Sequence, residues 1–217
     1  KKPGLIMKTS GATFSVLDRE MMLDKIKAVK DTIEGDLPNI YLLHGDFEDT
    51  EMNDLYNHPK VKAHINLTHG EGFGRPLLEA SISQKPVIAS NWSGHIDFLH
   101  KDLAILLPGS LQNVERGSVP DDFMVDGSQW FTVNYQQTSA TMKDVYKKYK
   151  KYTLNAKKLG VINKSKFSLD AMTRELGKIL DKYVPEFPKE VKLELPKLKK
   201  VGSTELPKIK LPKLKKV

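Results

Sequence analysis

An α/β fold built on a parallel, doubly wound sheet is predicted by three features of this 217-residue chain. Short apolar runs alternate with segments of helical period from residue 5 to residue 107. Most of the runs end in a polar loop, several of them glycine-bearing, as strands do when they feed ligand-binding turns. Apolar residues make up 39% of the chain, enough for a real core, and no apolar run approaches a membrane span.

The elements follow in order. Leu5–Lys8 reads as a buried strand ending at Lys8-Thr9-Ser10-Gly11. Met21–Ile33 places Met22, Leu23, Ile26, Val29 and Ile33 at helical spacing, before Gly35 and Pro38 break the chain. Ile40–Leu43 is a second strand, ended by His44-Gly45-Asp46. Thr50–Tyr56 fits a short helix with Thr50 as its N-cap. Val61–Leu67 is a third strand, followed by the turn Thr68–Gly74 and a helix from Arg75 to Ser83. Pro76 falls in the first turn of that helix, where a missing N–H costs little. Pro86–Ala89 is a fourth strand, Ile96–Leu99 begins a short helix, and Leu103–Leu107 is a fifth strand. Strands that alternate with helices in this way run parallel, and their ligands bind beyond the carboxyl ends. The loops at 8–11, 45–47, 68–74 and 91–94 are therefore expected on one rim.

This gives a sheet domain over residues 1–110. Residues 111–185 follow, with an irregular polar stretch at 109–137, helix over 139–159, and a last helix, Ser168–Tyr183, capped by Ser168. Residues 186–217 form a tail in which LPKLKKV occurs at 195–201 and again at 211–217, and its alternating Pro, Leu and Lys favour extended chain. The tail carries ten lysines against four glutamates, most of the formal net charge of +8. An assembly partner is its expected contact, ahead of an acidic membrane surface or nucleic acid. The Lys-Tyr stretch 146–152 is expected to pack its tyrosines and solvate its lysines rather than grip nucleic acid. Cysteine is absent, which excludes disulfides and thiolate metal sites and allows a cytoplasmic location. No signal peptide is evident, and without an initiating Met the chain reads as a fragment.

The most informative segment is Glu71-Gly72-Phe73-Gly74-Arg75-Pro76-Leu77-Leu78-Glu79. A flexible turn leads into a helix, with one carboxylate in the turn and another on the helix. Gly72 and Gly74 let backbone approach a ligand closely. The helix start offers N–H groups and a positive dipole end, which suits a diphosphate. Carboxylates accept from paired sugar hydroxyls. Phosphate in the middle with sugars at both ends is the layout of a nucleotide-sugar. Singly, Glu71 and Glu79 would be ordinary surface carboxylates, and it is their shared setting that raises them to candidates.

EGFGRPLLEA followed by the strand KPVIAS resembles the E-x7-E signature of family 4-type retaining glycosyltransferases. In that family the motif lies in the C-terminal, Rossmann-like donor-binding half of a GT-B fold, and the resemblance covers roughly residues 3–110. It implies that Glu79 holds the nucleotide ribose and that Glu71 faces the donor sugar. Gly72, Phe73 and Gly74 would line that sugar, with backbone amides near Arg75 and Leu77 on the phosphates. Lys8 matches the family's basic residue on the diphosphate, Arg19 is the candidate for a second, and Phe47 lies where the family contacts the base. Phe47 equally suits a core plug, and Trp92 either walls the sugar or packs an interface.

The implied reaction is glycosyl transfer with retention, the leaving nucleoside diphosphate being offset by Lys8, Arg19 and the helix start. No cofactor and no metal are expected, since no compact Asp-x-Asp or His cluster occurs; scattered His44, His69 and His95 read as structural. The family's acceptor-binding domain has no counterpart here, so the acceptor is unknown. A non-catalytic assembly module and a nucleotide-sugar epimerase are the alternatives.

Overall fold

The computed structural model describes residues 3–11, 13–118 and 125–185; the expectations for the LPKLKKV repeats and the tail at 186–217 lie outside the described residues. The chain divides into two compact units, Lys1–Arg174 and Glu175–Val217. The first holds every strand among the described residues. In the second, the described residues are the end of the last helix and the two residues after it.

Alternation is observed: β1 (Leu5–Lys8), α1 (Val16–Asp31), β2 (Ile40–Leu43), α2 (Asp49–Asn57), β3 (His64–Asn66), α3 (Arg75–Ile82), β4 (Val87–Ser90) and β5 (Ile105–Leu107), with a 3-10 turn at Gly94–Asp97. All five strands run parallel within their ladders. β1 pairs β2, with Leu5 opposite Ile40 and Lys8 opposite Leu43. β3, β4 and β5 form the second ladder in that order, His64 opposite Val87 and Ile88 opposite Ile105.

Caps, more than apolar spacing, set the helix boundaries. α1 starts five residues before Met21 because the Ser15 hydroxyl accepts the Asp18 N–H at 3.1 Å. Its early Val16 and Leu17 are 72% and 78% exposed, so apolar periodicity cannot reveal this start. α2 is capped at Glu48 and not at Thr50: the Glu51 carboxylate reaches back to the Glu48 N–H at 2.9 Å.

The stretch expected to be irregular contains an antiparallel hairpin, β6 (Gly109–Asn113) with β7 (Gln129–Val133). β6 is exposed throughout and polar, so it leaves no apolar pattern to read. The Lys-Tyr region is two helices, α4 (Tyr135–Lys147) and α5 (Tyr149–Lys166), broken at Lys148. α6 (Leu169–Tyr183) follows, and the Ser168 hydroxyl accepts the Ala171 N–H at 3.2 Å as a cap.

The core explains the layering. β4 is buried on both faces. Val87 and Ala89 pack with Leu77 and Leu78 of α3, Phe98, Leu99, and Leu159 of α5. Ile88 packs with Leu107, with Phe131 and Val133 of β7, and with Val145 of α4. Burying each Val, Leu, Ile or Phe of this set contributes about 1.5–3 kcal/mol. Asn163 of α5 reinforces the α3 contact, donating from Nδ2 to Ser81 Oγ at 2.8 Å and to the Phe98 carbonyl at 3.2 Å. Among the described residues, no helix is long and apolar enough to cross a membrane.

Candidate functional site

The carboxyl ends of the strands carry two clusters. At β1 and β2, Lys8 donates from Nζ to the Gly45 carbonyl at 2.9 Å. The same ammonium lies 4.7 Å from the Phe47 ring centre and 5.8 Å from that of Phe14. Lys8 and Phe47 are thus together, on an exposed cation and a half-buried ring. The Arg19 guanidinium makes no bond to Lys8 or Phe47; it pairs with its neighbour Glu20 at 2.8 Å and is half exposed.

The residue beside it is the one that organises this loop. Asp18 is buried and accepts from His44 Nε2 at 2.7 Å and from the Gly11 N–H at 2.8 Å. A Cβ on Gly11 would lie 2.2 Å from Asp18 Oδ1, so only glycine permits the approach. One carboxylate therefore fixes the loop after β1 to the end of β2. Sequence reasoning missed Asp18 because its partners lie 7 and 26 residues away.

At β3 and β4 the Glu71 turn is held by the 91–94 loop. The Glu71 N–H donates to Ser93 Oγ at 2.8 Å, the Ser93 hydroxyl donates to the Glu71 carbonyl, and the Gly94 N–H reaches that carbonyl at 3.0 Å. Asn66, the last residue of β3, donates to the Glu71 carboxylate at 3.3 Å. Ser93 carries φ 78°, an uncommon conformation for a residue with a side chain. Gly74 caps α3 at φ 84°, lying over buried His95, whose Nε2 donates to the Ser90 carbonyl at 2.6 Å.

The remaining motif residues divide by role. Gly72 is exposed with open space around its Cα. Phe73 is 48% exposed and its ring meets Phe98 at 5.3 Å and Phe167 at 6.1 Å, so it also braces the packing beneath. Leu77 is a core residue, and its N–H closes onto the Gly74 carbonyl at 2.9 Å. With Pro76 lacking an N–H, Gly74 and Arg75 carry what anion-binding capacity the α3 start has. Glu79 is paired: Arg75 Nε lies 2.9 Å from its carboxylate, and the same guanidinium lies 3.5 Å from Asp49 of α2. Among the described residues, no hydrogen bond or ion pair joins the Lys8 cluster to the Glu71 cluster.

The hairpin also reaches this rim. His69 donates from Nδ1 to the Phe131 carbonyl at 2.7 Å and stacks on Trp130, ring centres 4.0 Å apart and 5° from parallel. Trp92 stacks on Phe131 at 5.7 Å. Both loops flanking Glu71 are therefore braced by β7.

No protein-family model and no curated protein matches this chain. Solved structures do match. Alr3699/HepE from Anabaena, in complex with UDP and glucose, superposes with a TM-score of 0.56 at 13% identity over 82% of this chain and 40% of its own. The same protein in complex with UDP-glucose gives 0.56 at 14% identity, again over 82% and 40%. A glycosyltransferase from Rickettsia africae ESF-5 gives 0.54 at 17% identity, over 82% of this chain and 39% of that one. These likenesses establish the fold, an α/β arrangement found in glycosyltransferases. This chain spans about 40% of the length of the HepE structures.

Proposed function

We propose that this chain is the donor-binding part of a retaining glycosyltransferase that uses a nucleoside-diphosphate sugar. The observation that carries the reading is the Glu71 turn, locked by Ser93 and Gly94 directly ahead of the left-handed Gly74 and α3. Such a turn offers a fixed carboxylate next to a helix start, preorganised for a sugar joined to phosphate. HepE, of like fold, is seen with UDP-glucose, which supports a nucleotide-sugar as the ligand class.

In this reading the Lys8 ammonium and the backbone at Gly74 and Arg75 offset the leaving diphosphate. Glu71 stands beside the anomeric carbon as its positive charge develops. Phe47 contacts the base, and Glu79 takes the ribose hydroxyls, for which the Arg75 guanidinium must turn from its carboxylate toward Asp49. The diphosphate's charge would be met by these groups without a metal. The acceptor site would lie outside the residues assigned to the donor.

A second reading draws on the Arg75–Glu79 pair. A carboxylate already neutralised at 2.9 Å is what a non-catalytic, glycosyltransferase-like assembly module would contain. Calorimetric titration with UDP, GDP and ADP, each with and without its sugar, separates the two. Saturable binding of one nucleotide, weakened by about 1–3 kcal/mol in Glu79→Ala, is the expected result. Binding of the parent with no change in Glu79→Ala would remove Glu79 from the site, and binding of none would favour the assembly module.

A further inference from the structure

The positive charge of the described residues is concentrated on one pair of helices. α4, Lys148 and α5 together carry nine lysines and a single carboxylate, Asp144. All nine lysines are exposed. Asp144 is itself engaged, paired with Lys148 at 2.7 Å and accepting the Tyr152 hydroxyl at 2.7 Å.

α5 sorts its residues by face. Ala156, Leu159, Gly160 and Asn163 are buried against the body. On the opposite side Lys150, Leu154, Lys157, Val161 and Lys164 recur at steps of four and three, one continuous stripe about 20 Å long. Leu154 and Val161, in the middle of the stripe, are 63% and 62% exposed. The stripe is therefore aliphatic at its centre and cationic at its edges.

We propose that this outward face of α5 docks the protein on an anionic lipid bilayer. Lysine stems lie along an apolar surface while their ammonium groups reach the anionic headgroups, and the two aliphatic side chains enter the interface between them. Single-stranded nucleic acid would need aromatic rings on this face for stacking, and the outward stripe of α5 carries none, Tyr146 lying on α4. Here Tyr149 and Tyr152 are turned to the protein, their hydroxyls donating to the Lys62 carbonyl and to Asp144.

The test is vesicle co-sedimentation of the full chain, with pure phosphatidylcholine vesicles and with vesicles doped with phosphatidylserine. The parent is expected to bind the doped vesicles alone. Lys150→Gln/Lys157→Gln/Lys164→Gln should lose about fivefold in partitioning per lysine, and Leu154→Ser/Val161→Ser should lose the binding that persists at high salt. All five positions are exposed, and thermal unfolding confirms that each variant stays folded. The basic tail is present in every arm, so it cannot produce a difference between variants. Equal binding by parent and glutamine variant, or no binding to doped vesicles, overturns the proposal. So does lysine-dependent binding of an oligonucleotide without binding to vesicles.

Discussion

Glu71 owes its position to residues more than twenty places along the chain, and Gly94 is the least replaceable of them. A Cβ there would lie 2.0 Å from the Gly72 carbonyl oxygen and 3.1 Å from that of Glu71, backbone atoms that cannot swing aside as a side chain could. Gly94→Ala should cost about 1–3 kcal/mol in a urea unfolding titration. Gly72 is the contrast, since a Cβ on it meets nothing within 4 Å. Gly72→Ala should leave stability unchanged while reducing donor binding, and a variant that binds normally would place the sugar elsewhere. His64 supplies a pH signature. Burial, aided by Lys85, lowers its pKa to about 4, so the folded protein keeps it neutral while the unfolded chain protonates near 6.5. The unfolded state then binds more protons between those values, and stability falls as pH drops from about 6.5 to about 4. His64→Leu should flatten that slope in thermal melts across the window. The Glu71–Glu79 motif was legible because its residues are contiguous. The Ser93 clamp was not, because a serine at φ 78° carries no local mark in the sequence.

Among the elements, the β6–β7 hairpin does the most that the sequence did not announce. β7 places Trp130 on His69 and Phe131 on Trp92, and so braces both loops that hold the Glu71 turn. Trp130→Ala should cost about 0.5–1.5 kcal/mol for the lost stack. It should also speed hydrogen exchange at the Phe131 amide, which donates to the His69 carbonyl at 3.3 Å. Unchanged exchange would mean that the hairpin merely rests on the rim. β1 and β2 match their expected bounds, and β4 nearly does, because each is an apolar run between polar breaks; only β4 is fully buried, and β1, expected to be buried, is half-buried with Ile6 45% exposed. Helix starts were missed where polar caps decide them, at Ser15 and Glu48. Trp92 stacks on Phe131 of β7, a partner 39 residues away that no local pattern encodes, and stays 41% exposed beside the Glu71 turn.

At the largest scale, the candidate site lies at the carboxyl ends of the strands, and the lysines of the described body gather on the α4–α5 pair. The α/β class was legible because alternation extends over a hundred residues, and the Lys-Tyr stretch 146–152 already marked where lysines gather, although the stripe along α5 needed the helix bounds to show. The two loop clusters at the strand ends, Lys8 with Phe47 and Glu71 with Ser93, have no direct bond between them among the described residues. A nucleotide-sugar spanning both is what would make them one site. Amide chemical-shift mapping with the nucleotide-sugar that binds tightest in the titration measures that span directly. The account predicts saturable shifts at both Lys8–Gly11 and Gly72–Arg75 at one common affinity. Shifts confined to one cluster, or found only elsewhere on the chain, would contradict it.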